Sequence, residues 1–183
     1  MGKAKLTAQR WYELAQLVYE GRAPKGLIVE GTLDLSRMRF RALPEGLTVK
    51  GDLILRQCQR LRSIGKDTLI HGDLFIGGSA RHCKTNHSEL CQQARKDNGQ
   101  KGLSNLPFLT PSRSNICPLW TLPKGLTIGG SLELRSCHNI KKLPQNLQVS
   151  KHIRLFGCRK LEGLPEGLKV RGDLELVGCR SLK

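Results

Sequence analysis

The chain has 183 residues, enough for one domain, and its 38% hydrophobic and 4% aromatic content supplies few large side chains for a thick globular core. Thirty-one Lys and Arg against 15 Asp and Glu leave a net charge of +16, which favours an anionic partner: nucleic acid first, acidic protein second, anionic membrane third. No run of about 18 uninterrupted apolar residues is present, and Met1-Gly2-Lys3-Ala4-Lys5 leads into no apolar segment, so neither a membrane span nor a secretory signal is expected.

Residues 6–20 read as a helix, with Thr7 at its start and Gly21 at its end. Leu6, Trp11, Leu14, Leu17 and Val18 share one face at helical spacing, and Arg10, Glu13 and Gln16 lie opposite. A repeated unit follows. Its cleanest copy runs from Leu43-Pro44-Glu45-Gly46-Leu47-Thr48-Val49 through Leu53-Ile54-Leu55 to Cys58 and Leu61. The step from Leu122 to Leu143 to Leu164 is 21 residues each time, and a fixed period near 20 marks a solenoid. A first coil begins at Pro24, and a third, with Ile64-Gly65 for Leu-Pro and Thr68 for Leu, ends at Ser79 in the Cys place. About 37 residues then interrupt the rhythm, between roughly Arg81 and Pro118, before coils four to six run to Lys183. The expected architecture is mainly β: a short parallel-strand solenoid of about six coils of 20–21 residues, behind an N-terminal cap helix and with one inserted helix and loop segment. As one domain it divides into cap (6–20), coils one to three (22–80), insert (81–118) and coils four to six (119–183).

Each coil offers two short alternating pieces, Leu-x-Val and Leu-x-Leu, whose Leu and Val point inward. Gly51, Gly72, Gly130 and Gly172 between them are expected to turn with positive φ. The run Leu-x-Leu-x-x-Cys-x-x-Leu-x-x-Leu-Pro-x-x-Leu-x-Val resembles a short leucine-rich repeat of the bacterial type, with Cys58, Cys137, Cys158 and Cys179 where that family usually places Asn. The resemblance covers about 22–80 and 119–183. It implies a recognition scaffold and no particular activity.

Seven cysteines are an odd number, and four recur at one repeat position, which argues for packing and a reducing, cytoplasmic setting. The remaining three, Cys83, Cys91 and Cys117, lie in the insert near His87. Cys83, His87, Cys91 and Cys117 have the composition of a structural zinc site. The i, i+4, i+8 spacing is awkward for one ion, since i and i+8 on a helix are about 12 Å apart. The alternative is a short helix near 87–97 that docks Leu90, Cys91 and Ala94 on the coil, and no cofactor. Phe108 and Trp120 are the aromatics there; Trp120 is expected to pack where the coil resumes, with base stacking the alternative for either.

Residues around and after the Cys place are repeatedly basic: Arg37, Arg39 and Arg41; Arg56, Arg60 and Arg62; Arg81 and Lys84; Arg135, His138, Lys141 and Lys142; Arg159 and Lys160; Arg180 and Lys183. A repeat stacks equivalent residues, so these should form a basic ridge along one edge, suited to phosphate. The outward Leu-x-Leu positions, Asp34, Ile54, Phe75, Glu133, Arg154 and Glu175, with Asp52, Asp73 and Asp173 beside them, make a mixed, partly acidic face. The five His, at 71, 82, 87, 138 and 152, have no evident catalytic partners, so an enzyme is not expected. The reading is a non-enzymatic binder of nucleic acid or a nucleoprotein complex, through Arg39, Arg41, Arg60, Arg62, Arg81, Lys84, Lys141, Lys142, Arg159, Lys160 and Arg180. The alternative is a protein–protein adaptor or inhibitor, for example of a host or defence complex, gripping an acidic partner through Ile54, Phe75, Arg154 and the insert. An uncapped last coil with Leu174, Leu176 and Leu182 invites self-association.

Overall fold

A computed structural model of the chain describes residues 8–78 and 117–183. Helix α1 (Ala8–Glu20) buries Trp11, Leu14, Ala15 and Val18 against the first coil. The Trp11 indole donates from Nε1 to the Asp34 carbonyl at 2.6 Å, which fixes the helix to the solenoid. Gly21, at φ +69°, ends the helix. Its N–H donates to the Val18 carbonyl and that of Arg22 to the Leu17 carbonyl, the paired bonds that satisfy a helix C-terminus. The expected start at Leu6 and Thr7 lies outside the described residues.

Eleven short strands follow among the described residues: β1 (Ile28–Val29), β2 (Leu33–Asp34), β3 (Thr48–Val49), β4 (Leu53–Leu55), β5 (Leu69–Ile70), β6 (Leu74–Gly77), β7 (Thr127–Ile128), β8 (Leu132–Arg135), β9 (Gln148–Val149), β10 (Ile153–Phe156) and β11 (Leu174–Val177). The Leu-x-Val pieces form a five-stranded parallel sheet in the order β1-β3-β5-β7-β9. The Leu-x-Leu pieces form a six-stranded parallel sheet in the order β11-β10-β8-β6-β4-β2. Each coil gives one strand to the second sheet, so five full turns separate its first strand from its last. The core is the thin slab between the sheets: Val29, Val49, Ile70, Ile128 and Val149 face Leu33, Leu53, Leu74, Leu132 and Ile153 and their partners two residues on. A core one side chain deep from each sheet explains how a chain so poor in aromatics folds.

Both sheets continue across the insertion. Strand β6 pairs with β8 and β5 with β7, so neither ladder is broken between the coils that flank the insertion. The expected helix near 87–97 lies outside the described residues.

The corner between the sheets departs from expectation. Gly51, Gly72, Gly130 and Gly172 are not among the positive-φ residues. Close backbone approach accounts for Gly51, Gly72 and Gly130 instead: a Cβ on Gly72 would stand 2.7 Å from the Gly51 carbonyl carbon, and one on Gly130 equally near that of Gly72; at Gly172 the near neighbour is the His152 side chain, and Lys151 takes the same place in its own coil. Along the column, the N–H of Gly51 donates to Gly31, Gly72 to Gly51, Gly130 to Gly72, Lys151 to Gly130 and Gly172 to Lys151, at 2.9–3.0 Å. Beside it runs a side-chain column. Thr32 Oγ1, Asp52 Oδ1, Asp73 Oδ1, Ser131 Oγ and His152 Nδ1 each accept from the N–H one coil on, of Asp52, Asp73, Ser131, His152 and Asp173. Asp52 and Asp73, assigned from sequence to an acidic face, thus complete the hydrogen bonding of a corner. Coil three's unusual residues have local reasons. A Cβ at Gly65 would run into the Pro44 carbonyl, and the buried Thr68 hydroxyl donates to the Gly65 carbonyl at 2.8 Å.

Positive φ is used at the far end of the second sheet. Arg37, Gln57, Gly78, Ser136, Gly157 and Gly178, each at the end of a Leu-x-Leu piece, have φ between 54° and 71°. Three of the six carry side chains there, and Arg37 Nε donates to Gln57 Oε1 at 3.1 Å between neighbouring rungs.

Candidate nucleic-acid interface

That left-handed residue turns the chain so that the next side chain points back into the slab, and the ladder cysteine stands there. Each thiol donates to a carbonyl of the preceding coil: Cys58 to Leu35 at 3.1 Å, Cys137 to Ile76 at 4.0 Å, Cys158 to Leu134 at 3.9 Å and Cys179 to Leu155 at 3.5 Å. A small side chain with a weak donor suits this place. Cys117 joins them. Its N–H donates to the Ser136 carbonyl, which sets it level with Cys137, and it is 4% exposed. The level given to Ser79 from sequence is therefore filled by Cys117, and the insertion ends before it. Cys137 sits between two thiol neighbours: hydrogen bonds with Cys117 and Cys158, then burial, push its thiol up. Hydrogen bonds to Cys137 hold Cys117 and Cys158 below the usual thiol range. Burial pushes Cys58 well up. Of the residues considered for zinc, Cys83, His87 and Cys91 lie outside the described residues, while Cys117 belongs to the ladder. Among the described residues no group of three or more His, Cys, Asp or Glu is arranged to hold a metal ion.

Past the cysteine the chain forms a narrow edge with its own hydrogen bonds. Arg62 N–H donates to the Arg41 carbonyl at 2.7 Å, Glu162 to Lys141 at 2.9 Å and Lys183 to Glu162 at 3.3 Å. Ala42 bridges Ser63 and Lys142 bridges Gly163 in parallel. Equivalent residues therefore stack on this edge. Arg41, Arg60, Arg62, Lys141, Lys142, Arg159, Lys160 and Arg180 are exposed, and Arg39 is half-buried. Arg81 and Lys84 lie outside the described residues. Glu162 interrupts the column, but Lys141 Nζ is 3.9 Å from Glu162 Oε1 with both side chains at least half exposed, a contact that neutralises little. The field of the edge registers on His138: burial, then the charges of Arg159 and Lys160, hold its imidazole below its ordinary value. Trp120, expected to pack, is 61% exposed.

Two arginines counted on the ridge from sequence belong to the sheet face. Arg56 is 5% exposed; its guanidinium lies 5.0 Å from the Phe75 ring centre, and its Nη2 donates to Glu133 Oε1 at 2.8 Å. Arg135 lies 4.3 Å over Phe156, and its Nε donates to the same Glu133 oxygen at 2.7 Å. Burial pushes the Glu133 carboxyl up, but the bonds from Arg135 and Arg56 outweigh it and hold it below the usual range. Ser36 Oγ and Arg56 Nε are buried without a hydrogen-bond partner. Of the residues considered for protein binding, Ile54 is 0% exposed and offers no surface; it stands in register between Asp34 and Phe75. Alternation sets which way a side chain points but not whether another group covers it. Phe75 and Arg154 are half-buried, and Arg154 Nε donates to Glu175 Oε1 at 2.8 Å.

The geometry defines a class: a helix-capped, two-sheet parallel β-solenoid with coils of about 21 residues and one corner lined by a column of glycines. No protein-family model matches the chain, and neither a curated protein nor a solved structure matches it. No helix among the described residues is long and apolar enough to cross a membrane.

Proposed function

We propose that the chain is a non-enzymatic binding protein that engages nucleic acid or a nucleoprotein complex through the basic edge, as a small relative in kind of leucine-rich-repeat recognition scaffolds. One observation carries the reading: exposed cations from coils one, two, four, five and six lie along one edge in register, with a single acid among them in the Arg41–Arg62–Lys141–Glu162–Lys183 column. Such a row attracts phosphate without reading base sequence and releases counterions on binding. The test is a gel shift with unrelated RNA and DNA across a salt series, with Arg60, Arg62, Lys141, Lys142, Arg159 and Lys160 reversed to Glu in pairs. Binding should weaken as salt rises, and each lost phosphate contact should reduce the logarithmic salt slope by about 0.7–0.9. Absence of binding at low salt, or binding indifferent to salt, overturns it.

A second reading is a protein–protein adaptor or inhibitor working from the outer face of the larger sheet. Its support is the C-terminal half of that face, where Val177, in register with Phe156 of the Arg135–Phe156 stack, is 58% exposed. A partner from lysate that survives nuclease and is lost on replacing Arg154 and Phe156 would favour it over the first.

A further inference from the structure

We infer that Trp120 is a base-stacking platform set into the basic edge, and that the nucleic acid it serves is single-stranded; this rests on the reading above. The chain has two tryptophans, in opposite situations. Trp11 is 0% exposed with its indole N–H satisfied by Asp34. Trp120 is the most exposed of the large hydrophobic side chains in the described residues, at 61%.

Its position follows from register. Cys117 and Cys137 are 20 apart, but the buried Leu119 and Ile140 are 21 apart, as are the paired residues of β7 and β9, and this step carries Trp120 to Lys141. Across the insertion, equivalent residues of β5 and β7 are 58 apart, as Asp73 and Ser131 are, and that step carries Arg62 to Trp120. The column of the edge therefore reads Arg41, Arg62, Trp120, Lys141, Glu162, Lys183. A contact supports the level: Arg62 Nη1 donates to the carbonyl of Pro118, two residues before Trp120, at 3.4 Å.

An indole thus stands with a cation one coil away on either side, a rise of about 4.8 Å each. Exposed apolar area is unfavourable in water, and a purely electrostatic phosphate ridge has no use for it. A base with a free face uses both parts: it stacks on the indole while Arg62 and Lys141 meet the phosphates that flank it. In a duplex the base faces are already stacked, so the indole adds nothing there.

The test uses the full chain and fluorescently labelled oligo-dT, oligo-U and a duplex of equal length, with affinity read by anisotropy and tryptophan emission read on unlabelled strands. The parent should bind the single strands more tightly than the duplex, with quenching of the long-wavelength emission of the exposed indole. Trp120→Ala should lower single-strand affinity about ten-fold while leaving the salt slope unchanged, and Trp120→Phe should retain most of it. Equal urea midpoints for the three proteins would show that the fold is intact. If Trp120→Ala binds the single strands as tightly as the parent, or if the duplex binds more tightly, the stacking inference is overturned while the basic edge stands. If the parent binds none of the three at low salt, the basic-edge reading is overturned and the inference with it.

Discussion

Arg56 Nη2 lies 2.8 Å from Glu133 Oε1 although coil three runs between the coils that carry them. The register puts Gly77 level with Arg56 on the intervening strand, so no side chain blocks the crossing, and the Phe75 ring forms its floor. The pair ties coil two to coil four on either side of the insertion. Its side chains are 6% and 11% exposed, so water cannot take the place of either partner.

Removing one partner should cost far more than removing both. Glu133→Ala leaves Arg56 buried and uncompensated, a loss of about 3–5 kcal/mol by urea unfolding, whereas Arg56→Met with Glu133→Leu should cost less than the single change. The pair also sets an acid limit. The folded carboxyl titrates below its ordinary value, near 4.3 when unfolded, so its contribution is full above that value and is lost as pH falls through the lower folded one. The urea midpoint of the parent should drop between about pH 5 and pH 3, and Glu133→Gln should flatten that drop. An equal drop in both would place the acid sensitivity elsewhere.

Glycines of the corner and of the edge should divide by neighbour distance and not by conformation. Gly72→Ala drives a methyl against the Gly51 backbone and should cost about 1–3 kcal/mol or more. Gly163→Ala meets nothing within 4 Å and has no positive φ, so it should stay within about 0.5 kcal/mol of the parent. Equal unfolding midpoints for the two variants would show that the coils can spread without cost.

The thiol ladder should react from its end. Cys179 is half-buried, while Cys58, Cys117, Cys137 and Cys158 are buried. Under iodoacetamide in native buffer, Cys179 should be alkylated before these four, as read by peptide mass spectrometry. Cys117 and Cys158 have lowered thiol values, yet reagent access should govern at these buried sites. Reaction of Cys137 ahead of Cys179 would show that the slab opens before its last coil does.

The architecture was legible in the residues alone. The step near 21, the two alternating pieces and the Cys place are local signals, and each reports the direction of a side chain from the backbone that carries it. Stacking then placed the charges after Cys on one edge, because equivalent residues of a repeat must superpose. Whatever depends on distance between coils came from the folded chain. It set Cys117 level with Cys137, since an insertion hides the count that would have placed it. It took Ile54 and Arg56 out of solvent, because the outward direction of a side chain says nothing of what covers it. It gave the corner glycines their reason, since the gap between backbones is a property of two coils and not of one. By the same register it set the exposed Trp120 between Arg62 and Lys141, an alignment visible once the sheets on both sides of the insertion are joined.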